Sequence, residues 1–294
     1  MPNNKEILFQ KAHDVPLIWG SESWVISGYK GASSIVKSGS FKGTELRRLW
    51  EEKHELFGNA QGSEFPHLIK FIDAKKDLSV QVHPDDQYAK KVEGEDFGKK
   101  ECWYILDCKP NATIIMGHKC KDRRQMEECI NSGKWSDVLN EIPIKPGDFF
   151  PIEPGTIHAI KGGTKILETQ QNSDLTYRLY DYDRLENGKP RELHIDKALD
   201  VINFDNPEVK KSNFANPANS ETLMYKCDKF SVYLYDINGE ETINLDAPFI
   251  NCSVIEGEGE VDGCKISKED SFILPFEYGP TKVNGRLKLI VSHL

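Results

Sequence analysis

The sequence predicts a mainly β protein built from two antiparallel β units with a few short helices. Most of the 294 residues fall into short segments rich in β-branched and aromatic residues, separated by Gly, Pro, Asn and Asp. A second observation is a repeated scheme: GDFFPIEPGTIHAIKGGTKILE at 147–168 resembles EDSFILPFEYGPTKVNGRLKLIVS at 269–292. Many short strands closed by turns are typical of sandwiches and barrels, and the repeat predicts two such units.

The predicted strands fall into two groups along the chain. The first group is SSIVKSG, LSVQVHP, ECWYILDC, ATIIMG, GDFFPIEPGTIHAI and TKILETQ. The second group is FSVYLYDI, FINCSVIEGEGEV, SFILPFE and RLKLIVSHL. We therefore predict an N-terminal domain with short helices at 1–220 and a C-terminal β domain at 221–294.

Three stretches have helical spacing. In GTELRRLWEEKHELFG, Thr44 is a predicted N-cap and Gly58 a predicted stop. The stretch CKDRRQMEECINSGKWSDVLNEI predicts one or two short helices broken at Ser132-Gly133. The stretch ELHIDKALDVI predicts a helix followed by a linker, within a region at 184–220 rich in Asn, Pro and charge.

Composition and charge exclude several classes of protein. A formal net charge of -9 argues against a nucleic-acid-binding surface, which needs clustered Lys and Arg. The start, MPNNKEILFQ, has no apolar core of a secretory signal, and no apolar run is long enough to span a bilayer. The seven cysteines never form C-x-x-C. We therefore predict reduced thiols in a cytoplasmic protein that binds neither nucleic acid nor membrane.

The segment LSVQVHPDD at 78–86 alternates aliphatic and polar residues, as a β-strand with two different faces does. The predicted faces carry Ser79, Gln81 and His83 on one side and Leu78, Val80 and Val82 on the other. An exposed strand with its polar face in water is the alternative that these nine residues leave open.

Two further strand-like segments carry side chains that can bind a metal. Glu101 follows His83 by eighteen residues, and His158 follows Glu101 by fifty-seven. Two imidazoles, one carboxylate and the amide oxygen of Gln81 form a mixed nitrogen and oxygen set that suits Zn²⁺, Fe²⁺ or Mn²⁺. No thiolate belongs to the set, which argues against a purely structural zinc. Taken singly, each residue is a weak signal.

The segment PIEPGTIHAI is more specific, because a Pro-Gly turn delivers His158 onto a strand shortly after Gly147-Asp148. It resembles the second metal-binding motif of cupins, the double-stranded β-helix relatives of jelly rolls. In Gln81-Val82-His83 a glutamine replaces the first histidine of the usual first motif. In the second copy Thr281 or Lys282 replaces His158, so we predict two cupin units of which the C-terminal one lacks metal ligands.

With these motifs in order, the sequence resembles the type I mannose-6-phosphate isomerases, in their short bacterial form. The matching segments are WGSESWVIS, LSVQVHPDD, GKKECWYIL, GDFFPIEPGTIHAI and ILETQQNSDLTYRLYDYDR. The likeness runs in order from about Trp19 to Arg184 and continues more faintly to the C-terminus. Val25 departs from it, because a Glu is expected after the Glu-Ser-Trp segment.

The resemblance implies a cofactor and a set of site residues. It implies one Zn²⁺ per chain, held by Gln81, His83, Glu101 and His158. It implies a catalytic role for Arg178 and a substrate pocket lined by Ser79, Lys99, Glu168 and Asp174. We also predict that Trp19 binds substrate and that Glu168 is catalytic.

The implied reaction interconverts mannose 6-phosphate and fructose 6-phosphate through an enediolate, so the expected partner is a small sugar phosphate. A divalent metal stabilises the charge that develops on two adjacent sugar oxygens. A base must move the proton between C2 and C1; Glu168 is the first candidate and a hydroxide on the metal the second. Arg178 suits the enediolate or the phosphate, and Lys99 suits the phosphate. We expect a monomer or a homodimer.

Two other functions stay open from the sequence alone. One is an Fe(II)-dependent cupin oxygenase, against which Gln81 speaks because a fourth protein ligand crowds the positions that oxygen needs. The other is a non-enzymatic sugar-binding cupin, against which the complete metal set speaks. Without the resemblance, Arg178 is most simply an ion-pair partner of Asp181 or Asp183.

Overall fold

The structure is a computed structural model that describes residues 6–205, 207–217 and 220–294. Antiparallel sheets make up most of it and the helices are short, so the prediction of a mainly β protein is confirmed. None of the helices in these ranges is both long and apolar enough to cross a membrane. All seven cysteines are free thiols.

Short strands alternate with short helices up to β16, and the longest strands lie near the C-terminus. The first strands and helix are β1 Leu8–Lys11, β2 His13–Leu17, β3 Gly20–Ser27, β4 Ile35–Val36, α1 Leu46–Glu52 and β5 His67–Ala74, with a 3-10 turn at His54–Phe57. Next come β6 Val80–Val82, α2 Asp86–Tyr88, a π-helical turn at Ala89–Glu93, β7 Glu101–Cys108, β8 Thr113–His118, α3 Arg123–Ser132, α4 Trp135–Val138 and β9 Leu139–Pro143. They are followed by β10 Asp148–Ile152, β11 His158–Ala159, β12 Thr164–Gln171, β13 Tyr177–Tyr180, β14 Leu185–Glu186, β15 Lys189–Pro190, α5 Ile195–Val201 and β16 Ser212–Asn213. The last strands are β17 Glu221–Lys226, β18 Ser231–Ile243, β19 Ile250–Val261, β20 Cys264–Ser267, β21 Ser271–Leu274 and β22 Thr281–His293.

The described residues form two compact units. The first contains the described part of Met1–Val15 together with Ser23–Phe71 and Phe214–Leu294, and the second contains Pro16–Glu22 and Ile72–Asn213. Because β1 pairs with β21 through Leu8 and Ile273, N-terminal residues join the C-terminal sheet in one unit. The units thus divide the chain differently from the predicted domains at 1–220 and 221–294, which stay a prediction.

The first unit is built on long antiparallel strands in the order β17-β18-β22-β19-β21-β1-β4. Its helix α1 buries Leu46, Leu49 and Trp50, as its apolar spacing predicts. The predicted cap Thr44 is wrong, because its backbone carbonyl pairs with the amide of Val36 and the helix begins after Glu45 without a side-chain cap. The predicted stop at Gly58 is confirmed: it ends the 3-10 turn with φ of 63°.

The second unit packs two sheets against one apolar core. One sheet has the order β13-β6-β11-β8-β9, and the other contains the run β16-β10-β7-β12. The core between them is formed by residues of both sheets, among them Trp103, Ile105, Ile114, Met116, Phe150 and Ile166. This arrangement leaves the middle of β6, β7, β11 and β12 facing the interior of the unit.

Helices cover the outer face of β6. Val80 and Val82 pack with Met126 and Cys129 of α3 and with Leu199 of α5. The predicted break is confirmed, because Gly133 ends α3 with φ of 66° before α4 begins. The predicted helix in ELHIDKALDVI forms α5.

Leu78 does not share the face of Val80 and Val82, which corrects the sequence prediction. It belongs to the interior core with Trp103 and Ile160. The strand begins only at Val80, and the amide of Leu78 donates to the carbonyl of Ile160. The period-two alternation therefore does not extend back to Leu78.

A buried histidine of the first unit makes the stability of the protein depend on pH. The ring of His67 is 1% exposed, its Nδ1 accepts from the Asn251 amide at 3.0 Å, and its Nε2 donates to the Lys229 carbonyl at 3.3 Å. Burial lowers the pKa of His67 from 6.5 to about 4. The folded protein therefore holds His67 neutral at pH values where the unfolded chain takes up a proton.

We expect the free energy of unfolding to fall by about 2 kcal/mol between about pH 7 and pH 5 because of this one group. The free energy of unfolding that comes from keeping His67 neutral is present above about pH 6.5, and it is lost as the pH falls toward 4. Urea unfolding of wild type and His67→Gln at both pH values measures the effect. The variant should lose less stability on acidification, and an equal loss in both proteins would contradict the assignment.

Candidate metal centre

One row of residues across the first sheet of the second unit brings three predicted site residues together. Gln81 in the middle of β6 lies opposite His158 of β11 on one side and opposite Arg178 of β13 on the other. Residues opposite one another in antiparallel strands point to the same face. The row Arg178, Gln81, His158 therefore forms on one face of the sheet, although these residues are distant in sequence.

The facing sheet contributes a matching set. Glu101 at the start of β7 lies opposite Gln170 of β12, and Trp103 lies opposite Glu168. All four side chains are buried. Lys99, Glu101 and Trp103 contact the same site: Lys99 Nζ lies 3.5 Å from Glu101 Oε2, and the Trp103 ring lies 5.4 Å from that of His158.

His83, Glu101 and His158 converge on one point inside the unit. Their nitrogen and oxygen ligand atoms all lie within 4.8 Å of one another. His158 Nε2 is 3.1 Å from His83 Nε2 and 3.3 Å from Glu101 Oε1, and His83 Nε2 is 3.6 Å from Glu101 Oε2. The three side chains are at most 1% exposed. The predicted combination of two imidazoles and a carboxylate is thus present as a buried cluster.

The protonation of His158 prepares it to bind a cation. Its Nδ1 donates to the Thr156 carbonyl at 2.9 Å, so the proton sits on Nδ1 and the Nε2 lone pair faces the cluster. Burial lowers the pKa of His158 to about 4; the bond to Thr156 opposes that shift, while the charge of Lys99 adds to it. The ring is therefore neutral at ordinary pH, which is the form that ligates metals.

The spacing of the three ligands fits a divalent metal. Tetrahedral bonds of 2.0–2.1 Å place neighbouring ligand atoms about 3.3 Å apart, which is close to the observed 3.1–3.6 Å. A cation between two buried imidazoles and a carboxylate would compensate the buried negative charge of Glu101. The candidate metal site is therefore His83, Glu101 and His158.

A glycine turn sets the distance between the two histidine strands. The amide of Gly155 donates to the carbonyl of His83 at 2.9 Å, and its carbonyl accepts from the amide of Asn203 at 2.9 Å. Gly155 has φ of +85°, and a Cβ at this position would lie 2.7 Å from the Val201 carbonyl oxygen. The Pro-Gly sequence before His158 is thus needed for a close approach of three chain segments.

Glu168 is fixed by a residue that the sequence analysis did not single out. The indole Nε1 of Trp103 donates to Glu168 Oε1 at 2.8 Å, and both side chains are buried. Trp103 lies two residues after Glu101 on β7, but the pairing of β7 with β12 that brings it to Glu168 is not visible in the sequence. The bond holds one carboxylate oxygen, and the position of the other oxygen is thereby fixed.

Arg178 is not the ion-pair partner of Asp181 that a simple sequence interpretation suggests. Asp181 instead binds Arg184 and Arg191, and Arg178 makes no ion pair in the described part of the chain. Its Nε is buried and has no hydrogen-bond partner there, and burial together with Arg191 lowers its pKa. His194 accepts from its backbone amide at 3.2 Å. The guanidinium is therefore available for an anion.

The other predicted pocket residues lie in three different environments. Ser79 is buried directly before β6. Asp174 is exposed and follows a turn that Gln170 braces, since its Nε2 donates to the Ser173 carbonyl at 2.6 Å. Trp19 is buried in the interior core with Trp103. The substrate-binding roles of these residues stay predictions.

The second copy of the repeated scheme contains no comparable cluster. Among the described residues, one group of His, Cys, Asp and Glu side chains could hold a metal, and it is the group around His158. Thr281, one of the two residues that replace His158 in the second copy, is buried at the start of β22. Val25, at the other departure from the expected motif, is also buried.

Two family models match the chain. Residues 10–118 match the phosphomannose isomerase type I catalytic domain, and residues 219–294 match the mannose-6-phosphate isomerase cupin domain. The predicted cupin architecture is thereby confirmed for the C-terminal part of the chain. The fold and the buried ligand cluster define a cupin protein with a candidate metal site.

Closely similar proteins identify the family. The chain is 44% identical to the putative mannose-6-phosphate isomerase YvyI of Bacillus subtilis, over 96% of this chain and 92% of the relative, and 41% identical to the mannose-6-phosphate isomerase ManA of the same organism, with the same coverage. A crystal structure of the mannose 6-phosphate isomerase from Bacillus subtilis superimposes with a TM-score of 0.92 at 42% identity, covering 98% of this chain and 99% of that one. The chain belongs to the type I mannose-6-phosphate isomerase family, and the predicted enzyme class is confirmed.

Substitution of the turn glycine should loosen the metal centre. In Gly155→Ala the new Cβ clashes with the Val201 carbonyl, and alanine is also strained at this positive φ. We therefore expect the free energy of unfolding to fall by about 2–4 kcal/mol and a divalent ion to bind more weakly. Gly188→Ala is the matched control, because Gly188 has φ of +79° and no atom within 4 Å of an added Cβ. Urea unfolding and metal titration measure both variants. Equal effects of the two substitutions would contradict the role of the turn.

Proposed function

We propose that the protein is a zinc-dependent aldose–ketose isomerase that interconverts mannose 6-phosphate and fructose 6-phosphate through an enediolate. The observation that carries the proposal is the convergence of His83, Glu101 and His158 next to the row that contains Gln81 and Arg178. The names of the relatives that match nearly the full chain support the substrate. The amide oxygen of Gln81 is the proposed fourth protein ligand.

The site residues divide the proposed chemistry among themselves. A bound zinc ion supplies Lewis acidity toward the two sugar oxygens on which negative charge develops. Glu168 is the proposed base that moves the proton between C2 and C1, since its carboxylate is buried and held at one oxygen by Trp103. A fixed carboxylate loses little entropy when it reaches its transition-state geometry.

Two cations complete the proposed site. Arg178 is half-buried, its Nε is buried, and it has no ion-pair partner in the described residues, so we propose that it binds the enediolate or the phosphate. Lys99 is 5% exposed and lies beside Glu101, so we propose that it contacts the anionic substrate at the metal centre. Local positive charge of this kind attracts a sugar phosphate to a protein with a net charge of -9.

The setting of the enzyme is also a proposal. Seven free thiols support a reducing compartment, which agrees with the predicted cytoplasmic location. The choice between monomer and homodimer stays a prediction.

Removal of one imidazole tests the metal and the reaction together. We expect wild type to hold about one zinc per chain and to convert mannose 6-phosphate in a coupled assay, and His158→Ala to lose both while it stays folded. His13→Ala, a partly exposed histidine outside the cluster, is the control. Metal analysis, the assay and circular dichroism provide the readouts. Zinc retained by His158→Ala would remove the ligand assignment, and activity that required Fe²⁺ and oxygen would remove the proposed reaction.

Loss of the Trp103 donor should slow the proton transfer. In Trp103→Phe the charged Glu168 carboxylate no longer accepts a hydrogen bond from the indole. We therefore expect turnover to fall about tenfold while bound zinc is unchanged. The isotope effect on substrate deuterated at C2 should rise, because the altered step becomes more rate-limiting. Trp135→Phe, which changes a buried indole stacked on Tyr180, controls for packing. An unchanged isotope effect with normal turnover would argue against Glu168 as the base.

A further inference from the structure

A second polar pocket lies at the far end of β7 from the metal centre. Glu101 begins this strand and Cys108 ends it, so seven residue steps of about 3.3 Å separate the two ends by about 23 Å. The pocket has a volume of about 480 Å³. It is lined by Lys75, Lys76, Asp77, Lys109, Gly162, Gly163, Tyr182 and Arg184.

The pocket lining carries an excess of positive charge, because three lysines and one arginine face one carboxylate, Asp77, and the nearby carboxylates outside the lining are shared between cations. Asp73 is shared by Lys75 at 2.8 Å and Lys165 at 3.4 Å. Asp181 is likewise shared by two cations, Arg184 and Arg191. Lys76 and Lys109 make no ion pair in the described part of the chain. Such a concentration of cations is unexpected in a protein with a net charge of -9.

Two glycines bring the pocket wall against the lysines. A Cβ on Gly162 would lie 2.9 Å from the Cα of Lys76, and a Cβ on Gly163 would lie 2.9 Å from the Cδ of Lys109. The amide of Gly162 donates to Asp77 Oδ1 at 2.8 Å, so this carboxylate is engaged by the backbone. The close approach fixes the bases of both lysine side chains at the rim of one cavity.

A tyrosine of the segment after β13 adds a neutral donor to the lining. Tyr182 and Asp183 are consecutive non-glycine residues with φ of 57° and 51°, a strained conformation that is concentrated at functional sites. The Arg184 guanidinium lies 5.1 Å from the Tyr182 ring centre. Burial raises the pKa of Tyr182, with the nearby Asp77 adding to the shift. The hydroxyl therefore stays protonated and can donate to an anion.

We propose that this pocket binds a phosphate monoester at a site separate from the metal centre. Lys76 and Lys109 supply the unpaired positive charge, and the Tyr182 hydroxyl supplies a hydrogen bond. A cavity of 480 Å³ lies in the range of pockets that hold small metabolites. The inference does not depend on the proposed isomerase reaction, since none of the lining residues belongs to the metal cluster.

Glycerol 3-phosphate tests the site, because it is a monoester that lacks the carbonyl needed for isomerisation. By calorimetric titration at low salt we expect two binding sites on wild type. The double variant Lys76→Gln/Lys109→Gln should bind about tenfold more weakly at one site and keep wild-type kinetics with mannose 6-phosphate. Arg178→Ala should weaken the other site alone.

A second pair of lysines controls for bulk charge. Lys119 and Lys121 are exposed residues of the same unit and lie outside the pocket, so Lys119→Gln/Lys121→Gln should bind as wild type does. A single site on wild type that Arg178→Ala abolishes would overturn the proposal. Equal weakening in both double variants would also overturn it, because the effect would then be charge screening.

Discussion

The structure depends on one electrostatic constraint, the approach of two imidazoles and a carboxylate within a few ångströms of one another in the buried interior of one unit. His83, Glu101 and His158 are at most 1% exposed, so water does not compensate their polarity. Their separations of 3.1–3.6 Å suit a cation at the centre. Burial of a carboxylate beside two imidazoles is costly, and a bound cation would offset that cost.

The surrounding fold holds the cluster by strand register. The row Arg178, Gln81, His158 and the facing pairs around Glu101 and Glu168 come from two sheets that share one core. Helices α3 and α5 cover the outer face of β6, which leaves the inner face for polar side chains. A register slip of one residue would send each of these groups to the wrong face, so apolar packing on the outer side fixes the polar site on the inner side.

Positive charge is arranged locally in an acidic protein. Arg178 lies near Arg191, but Asp181 neutralises Arg191 and also binds Arg184. The guanidinium of Arg178 therefore makes no ion pair with the described residues. A group that is to bind an anion must be unpaired in this way. The chain continues from Arg178 in β13 to Tyr182 and Arg184, which line the basic pocket, so neighbouring residues of one segment contribute to both proposed anion sites.

Local patterns of the sequence determined the mainly β class, the breaks at Gly58 and Gly133, and the candidate ligands His83, Glu101 and His158. These features depend on neighbouring residues, whose spacing the chain displays directly. Only the tertiary structure shows that Trp103 donates a hydrogen bond to Glu168 and that Leu8 pairs with Ile273. It also shows that Asp181 pairs with Arg184 and Arg191 and not with Arg178. Such contacts join residues far apart in sequence, and they are fixed by strand order and register, which a single chain does not reveal.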